Sequence, residues 1–269
     1  NRWPAATSPP LPAAPDPACR SRVSAQDNTS REEKRSAKRN RINEMVNKEE
    51  EENALIYKKQ KVFGMEVRTN GYGIFYEKAK SKTQNVSSLY TIGLDEIKHP
   101  KEDKQQSFTF FGNPYIYGKI NNFYTLKLGY GQQRVLGQKG NKNGVAVLGV
   151  YSGGATLGLL RPYYIDVQDN NGDTRSIKYT QQDSTLFVDG PKIGSSGLGK
   201  GWNEIKVKPG LYAKAALRFD WGRFNELVTG LEAGISAEFY AAKIPIMLYQ
   251  KDQQFFFQGH IAFLLGKRK

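Results

Sequence analysis

From Lys61 onward apolar and polar residues alternate one by one over long stretches. Successive side chains of a strand point to opposite faces, so such runs predict strands with one apolar and one polar face. The pattern predicts strands at 62–77, 86–98, 121–136, 145–152, 155–167, 204–219, 226–240 and 254–266. The last three alternate most regularly. In 204–219 the odd positions hold Ile205, Val207, Leu211, Ala213, Leu217 and Phe219, and the even ones Lys206, Lys208, Lys214 and Arg218. In 226–240 Leu227, Leu231, Ile235 and Phe239 alternate with Glu232 and Glu238. In 254–266 Phe255, Phe257, Ile261, Phe263 and Leu265 face one way, and Gln258 and His260 the other. Glycine- or asparagine-bearing turns are expected at 140–144, 152–154 and 222–225.

Alternation alone does not say which face points inward. In a soluble barrel the apolar face lines the core; in an outer-membrane barrel it meets lipid. The strands are long against the ~5–6 residues usual in soluble domains. Their polar face carries full charges of both signs, and the sequence closes on an aromatic-rich strand. The fold class expected is all-β: an antiparallel transmembrane β-barrel of about eight strands, with both termini on the periplasmic side. The connection 99–120 would then also lie on the periplasmic side, where it is unusually long. A soluble barrel binding an apolar ligand is the alternative.

A lumen charge network is predicted from the even face: Glu66 and Arg68, with Lys206, Lys208, Lys214, Arg218, Glu232 and Glu238. A turn centred near Arg223 would set Lys214 opposite Glu232, Lys208 opposite Glu238 and Arg218 opposite Val228. Pro209 cannot donate a ladder hydrogen bond, so Pro209-Gly210 is expected to mark a bulge near the rim.

Ahead of the barrel two segments differ in kind. Residues 1–26, with six prolines in the first seventeen, read as disordered leader material whose Val23-Ser24-Ala25-Gln26 is like the end of a signal peptide. Residues 27–60 read as a charged helical or disordered arm: Ser30 and Glu33 have capping-box spacing, and the apolar stripe is thin, with Ile42, Met45 and Val46. The arm is expected to be dispensable for folding of the barrel at 61–269.

Composition narrows the chemistry. Among 269 residues there is one cysteine, Cys19, and two histidines, His99 and His260, which argues against internal disulfides and His-rich metal sites. No apolar run reaches the ~20 residues of a membrane helix. Mean hydropathy is −0.62, and the 15 tyrosines, 14 phenylalanines and 27 glycines suit aromatic girdles and strand glycines. The net charge of +14 is dispersed along the chain. With no nucleic-acid-binding motif beside it, that charge points to outer-membrane lipid or lipopolysaccharide rather than nucleic acid. An envelope protein could dock on loop 168–203 or on the 27–60 arm.

Several short strings carry a resemblance: Gly71-Tyr72-Gly73-Ile74-Phe75-Tyr76-Glu77, His99-Pro100-Lys101-Glu102, Ile116-Tyr117-Gly118-Lys119, Asn121-Asn122-Phe123-Tyr124, Leu128-Gly129-Tyr130-Gly131, Tyr151-Ser152-Gly153-Gly154 and Lys243-Ile244-Pro245-Ile246-Met247. On these the chain from about residue 61 onward resembles an uncharacterised family of outer-membrane β-barrel proteins of the Bacteroidota. The resemblance implies fold and location, with no activity attached.

No catalytic, cofactor-binding or metal site is predicted. Gly194–Lys200 fits a phosphate loop up to its lysine, but Gly201 stands where Ser or Thr should hold magnesium. Asp169-Asn170-Asn171-Gly172-Asp173 lacks calcium ligands at the required spacing and reads as a polar turn. Ser236 and His260 could serve a lipid-modifying hydrolase at the rim, or His260 could be a hydrogen-bonded lumen residue. His99, Pro100, Lys101 and Glu102 form either a rim turn or a docking motif. The leading functional reading is a non-enzymatic structural or accessory envelope protein, with the lipid-modifying enzyme as alternative.

Overall fold

The structure is a computed structural model and describes residues 36–37, 39–40, 59–83, 85–107, 112–139, 144–169, 172–222 and 227–268. The chain divides into two units, Asn1–Glu51 and Glu52–Lys269. In the first, Ser36, Ala37, Arg39 and Asn40 are helical and exposed; the leader and most of the arm lie outside the described residues.

The second unit is built from strands β1 (Lys59–Arg68), β2 (Gly71–Thr83), β3 (Val86–Ile97), β4 (Lys104–Gln105), β5 (Tyr115–Ile116), β6 (Asn121–Gly137) and β7 (Ala146–Pro162). These are followed by β8 (Tyr164–Gln168), β9 (Thr174–Lys178), helix α1 (Ser184–Asp189), β10 (Lys192–Ser195), β11 (Lys206–Asp220), β12 (Leu227–Ile244) and β13 (Gln253–Arg268). Eight of them close into an antiparallel barrel in the order β1-β13-β12-β11-β7-β6-β3-β2. Closure leaves the ring no unpaired edge.

Alternation decides what faces where. Along β1 every second residue is buried, and the residues between are exposed. The outward row includes Phe63, Met65, Val67, Ile74, Ile92, Leu211, Ile235, Phe257 and Ile261, and Val67 is 69% exposed. The inward row carries Glu66, Arg68, Glu77, Asp95, Lys127, Arg218, Glu232 and Glu238. Among the outward positions of all eight strands the sole carboxylate is Glu96, near one end. A soluble protein does not expose a continuous apolar wall of this extent. The polarity is that of a transmembrane β-barrel, and it rules out the soluble barrel with an apolar interior.

Two strand assignments differ from the sequence expectation, in opposite directions. Segment 62–77 is two strands, turning at Thr69-Asn70. Segments 145–152 and 155–167 are largely one strand, β7, which runs straight through Ser152-Gly153-Gly154. There the glycines make room instead of a turn. Gly154 lies opposite both Gly129 and Tyr212, and a Cβ on Gly129 would sit 1.8 Å from the Tyr212 hydroxyl. The barrel thus accepts a large inward tyrosine by omitting side chains beside it.

The turn at 69–70 also moves the connection between β3 and β6 to the other end of the barrel. The end where β1 begins and β13 finishes carries the connections 84–85, 138–145 and 221–226. The opposite end carries 69–70, 98–120, 163–205 and 245–252. The two longest connections therefore lie opposite the end at which the strands begin and finish. Pro209 makes no bulge: β11 stays in register with β7 through Pro209↔Leu157, and pairing with β12 starts only at Gly210. The proline stands where no β12 partner needs its missing N–H.

Candidate functional site

The lumen is crossed by buried ion pairs. Arg68, the last residue of β1, reaches Glu66 (3.6 Å), Asp95 (3.0 Å) and Glu238 (2.5 Å). Lys127 bridges the latter two from the far wall, at 2.6 Å to Asp95 and 2.8 Å to Glu238. Glu238 also accepts from Gln258 (2.6 Å) and from the Tyr240 hydroxyl (2.6 Å). A second group centres on Glu232, which meets Lys214 at 2.6 Å, Arg218 at 2.5 Å and His260 Nε2 at 3.4 Å. Arg218 also reaches Glu77 at 2.5 Å, and Lys214 lies 4.0 Å from Glu66, linking the two groups. Near the β1 start, Arg268 pairs with Asp220. Isolated charges would not tolerate this burial, and multiple partners per carboxylate are what offset their desolvation.

Of the eight residues predicted for this network, Glu66, Arg68, Lys214, Arg218, Glu232 and Glu238 come together. Lys206 is exposed and Lys208 half-buried at the start of β11. Lys208 does not pair with Glu238, which takes Arg68 and Lys127 instead. The β11–β12 register also differs: Arg218 is opposite Glu232, Lys214 opposite Ser236 and Tyr212 opposite Glu238. Lys214 reaches Glu232 diagonally. Sequence reasoning missed Glu77, Asp95, Lys127, Asp220 and Arg268.

Side chains fill the space between. Phe123, Tyr240 and Phe256 stack on one another with centroids 5.2–5.8 Å apart. With Ile97, Leu160, Ile244 and Ile246 they form an apolar plug toward the long-connection end. A second cluster, Val62, Phe75, Val228, Ala262 and Leu264, lies toward the other end. Between them a cavity of about 20 Å³, lined by Glu66, Asp95, Lys127, Tyr212 and Lys214, has the size of a water molecule.

The mouth beyond the plug is covered. Residues 245–248 fold across it and bond to 118–121: Ile120 and Asn121 N–H donate to the Ile246 carbonyl, Leu248 N–H to that of Gly118, and the Asn121 amide to that of Pro245 (2.8 Å). Gly118 takes φ +68°, a left-handed turn that suits glycine. Lys119 pairs with Glu102 at 2.6 Å, both side chains buried. Burial holds the Lys119 ammonium below its ordinary pKa despite that carboxylate. His99–Glu102 is a closed turn: Glu102 N–H donates to the His99 carbonyl (3.0 Å), and His99 N–H to the Glu102 carboxylate (3.0 Å). Three strings of the family resemblance, 99–102, 116–119 and 243–247, thus meet at one mouth. Glu102→Ala is expected to loosen this cover by about 1–3 kcal/mol, seen as faster protease cleavage within 98–120 while the barrel stays resistant.

Segment 168–203 folds as part of a cap. Strands β10-β8-β9 form a small sheet with its own core of Ile165, Val167, Ile177 and Phe187. The Tyr163 hydroxyl accepts from Ile116 N–H at 3.1 Å. Beside the sheet, the Arg161 guanidinium lies over Trp202 (4.8 Å) and Tyr124 (5.7 Å). An open cleft of about 320 Å³ is lined by Tyr164, Lys200, Trp202, Asn203 and Glu204. The Lys178 ammonium, 2.6 Å away, holds Glu204 below the usual carboxylate range.

The phosphate-loop string is not followed by a helix: Gly194 and Ser195 end β10, and a single 3-10 turn spans Trp202–Glu204. In the 169–173 turn, Gly172 N–H donates to the Asp169 carbonyl at 2.8 Å. Ser236 and His260 face the lumen, away from lipid. Ser236 accepts from Arg68 and His260 contacts Glu232, so the two do not hydrogen-bond to each other. Among the described residues no cluster of three metal-ligating side chains occurs.

No protein-family model matches the chain, and no curated protein matches it. Among solved structures, it is similar to Ail, the attachment invasion locus protein of Yersinia pestis, crystallised with the heparin analogue sucrose octasulfate (10% identity, TM-score 0.35, 78% of this chain and 96% of that one). It is also similar to Neisserial surface protein A (8%, 0.35, 78% and 96%) and to the N-terminal β-barrel domain of Pseudomonas aeruginosa OprF (8%, 0.31, 77% and 98%). At these scores the likenesses carry no argument, and the fold rests on the chain's own strand pairing and polarity.

Proposed function

We propose that this chain is a sealed barrel of a bacterial outer membrane with a non-enzymatic structural or accessory role in the envelope, exercised at its capped end. The filled lumen carries this reading: paired charges and an apolar plug leave a water-sized cavity where a pore would need a path. Short turns on the periplasmic side and long loops outside are the habit of such barrels. On that ground the barrel's two ends at Lys59 and Arg268 face the periplasm and the cap faces outward. The cleft beside Trp202, Tyr164 and Glu204 is the surface offered to an envelope partner. Kinship with the Bacteroidota barrel family is part of the same proposal.

The test is reconstitution of the full chain into planar bilayers. Insertion with heat-modifiable gel migration and no stable conductance steps is the expected result. Discrete, reproducible channel openings by the wild-type chain would overturn the sealed barrel.

A further inference from the structure

A one-sided belt of cations borders the apolar wall at the end where β1 begins and β13 finishes. Lys59 and Lys61 on β1, Lys78, Lys80 and Lys82 on β2, and Lys267 on β13 all face outward and are exposed. The register sets like against like. Lys59 is directly opposite Lys80, and Lys61 is directly opposite Lys78 on one side and Lys267 on the other. Directly opposed like charges destabilise a strand pair. Among the described residues Lys59, Lys61, Lys78, Lys80 and Lys267 have no carboxylate partner, and the outward faces of β1, β2 and β13 carry no Asp or Glu.

What borders the belt narrows the ligand. The next outward row toward the membrane centre is Leu265, Phe63 and Tyr76. Tyr90 lies opposite Lys78 and packs edge-on against Tyr130, with centroids 5.3 Å apart, while Lys82 donates to the Tyr130 hydroxyl. The far side of the same end is more apolar, with Leu136, Val145, Trp221 and Leu227 exposed beside the single outward cation Arg134 among its described strand residues. The surface therefore offers an apolar wall, a tyrosine rim and closely opposed cations in that order, with the opposed lysines of the described residues gathered on one sector. Acyl chains below an anionic phosphate headgroup match all three; a soluble polyanion matches only the last.

We propose that this sector is a binding site for anionic phospholipid in the leaflet at that end, with headgroup phosphates lying between the opposed lysines. The proposal rests on the barrel standing in a bilayer. It requires that the lysines be destabilising without anionic lipid and stabilising with it.

The experiment compares the full chain with a variant carrying glutamine at all five positions (Lys59→Gln, Lys61→Gln, Lys78→Gln, Lys80→Gln, Lys267→Gln). Both are refolded into phosphatidylcholine vesicles with or without phosphatidylglycerol, and thermal unfolding is followed by gel migration. In phosphatidylcholine alone the variant should unfold at the same or a higher temperature than wild type. With phosphatidylglycerol the order should reverse, and the gap should shrink as salt is added. Native mass spectrometry after mild detergent extraction should find phosphatidylglycerol enriched on wild type roughly fivefold or more over the variant. The same order in both lipids, or equal lipid ratios on the two proteins, would overturn the site. Failure of wild type to insert into either vesicle would instead overturn the bilayer-spanning reading. If the fivefold variant does not refold, Lys61→Gln alone removes two of the three opposed pairs and carries the same comparison.

Discussion

Glu232→Lys is expected to lower the stability of the folded barrel by about 3–5 kcal/mol, the scale for breaking a buried ion pair by removing one partner. Glu232 is wholly buried and receives Lys214 at 2.6 Å, Arg218 at 2.5 Å and His260 at 3.4 Å. A lysine in its place would set a third cation against two that have already lost part of their hydration. Adding Lys214→Glu returns one opposite charge to the cluster, so part of the loss should come back. The rescue is partial because Arg218 keeps only Glu77 and Gln133 as partners. Denaturant unfolding from vesicles, scored by heat-modifiable migration, measures both steps. Purely additive losses would mean that Lys214 and Glu232 are not coupled.

The alternation of residues predicted the barrel and its polarity well, because side-chain parity depends only on position along one strand. Lys214, Arg218, Glu232 and Glu238 face the lumen whatever the neighbouring register. Register depends on the turn, and here parity gave no help: the expected 214–232 pairing and the observed 218–232 pairing differ by an even number, so both keep polar faces together. Gly222 accounts for part of the difference. Its N–H donates to the Asp220 carboxylate at 2.8 Å, and Trp221 N–H donates to the Thr229 carbonyl, so the strands part later than a turn centred on Arg223 allows.

The expected count of eight agrees with the ring through two errors that cancel. Asn70-Gly71 is a hairpin signature, and reading it as strand interior reverses the parity of everything up to Glu77. That reversal is why Glu77, which holds Arg218, and the inward row of β2 were not foreseen. Gly153-Gly154 resembles a turn in sequence, and only the packing of Tyr212 against Gly129 and Gly154 shows why glycine is needed mid-strand. The cap was legible only as an overlong polar connection. Its core residues Ile165, Val167, Ile177 and Phe187 are spread over two strands and a six-residue helix, too short for any period to stand out.

Arg68→Met should be the other severe substitution, and it tests the mouth-side half of the network. Arg68 contacts all three of Glu66, Asp95 and Glu238, at 3.6, 3.0 and 2.5 Å. Methionine fills much of the same volume without charge and leaves Lys127 facing both Asp95 and Glu238. With one cation for two buried carboxylates, a loss of about 3–5 kcal/mol is expected. Arg68→Lys should recover less than half of it, because a single ammonium cannot reproduce a fork that reaches Asp95 from one nitrogen and Glu238 from another. Glu238→Gln on the Arg68→Met background removes the excess charge while keeping an acceptor for Tyr240 and a side chain of the same size. That double variant should be more stable than Arg68→Met alone, a coupling a merely crowded lumen would not give. The same series read in planar bilayers separates stability from sealing. Arg68 contacts Glu66 and Asp95, which line the water-sized cavity, so a carboxylate pair left with Lys127 as its one cation in Arg68→Met should bring water and brief cation leakage that the double variant suppresses. Equal stabilities for the single and double variants would show that the charges at this level are not coupled through Arg68.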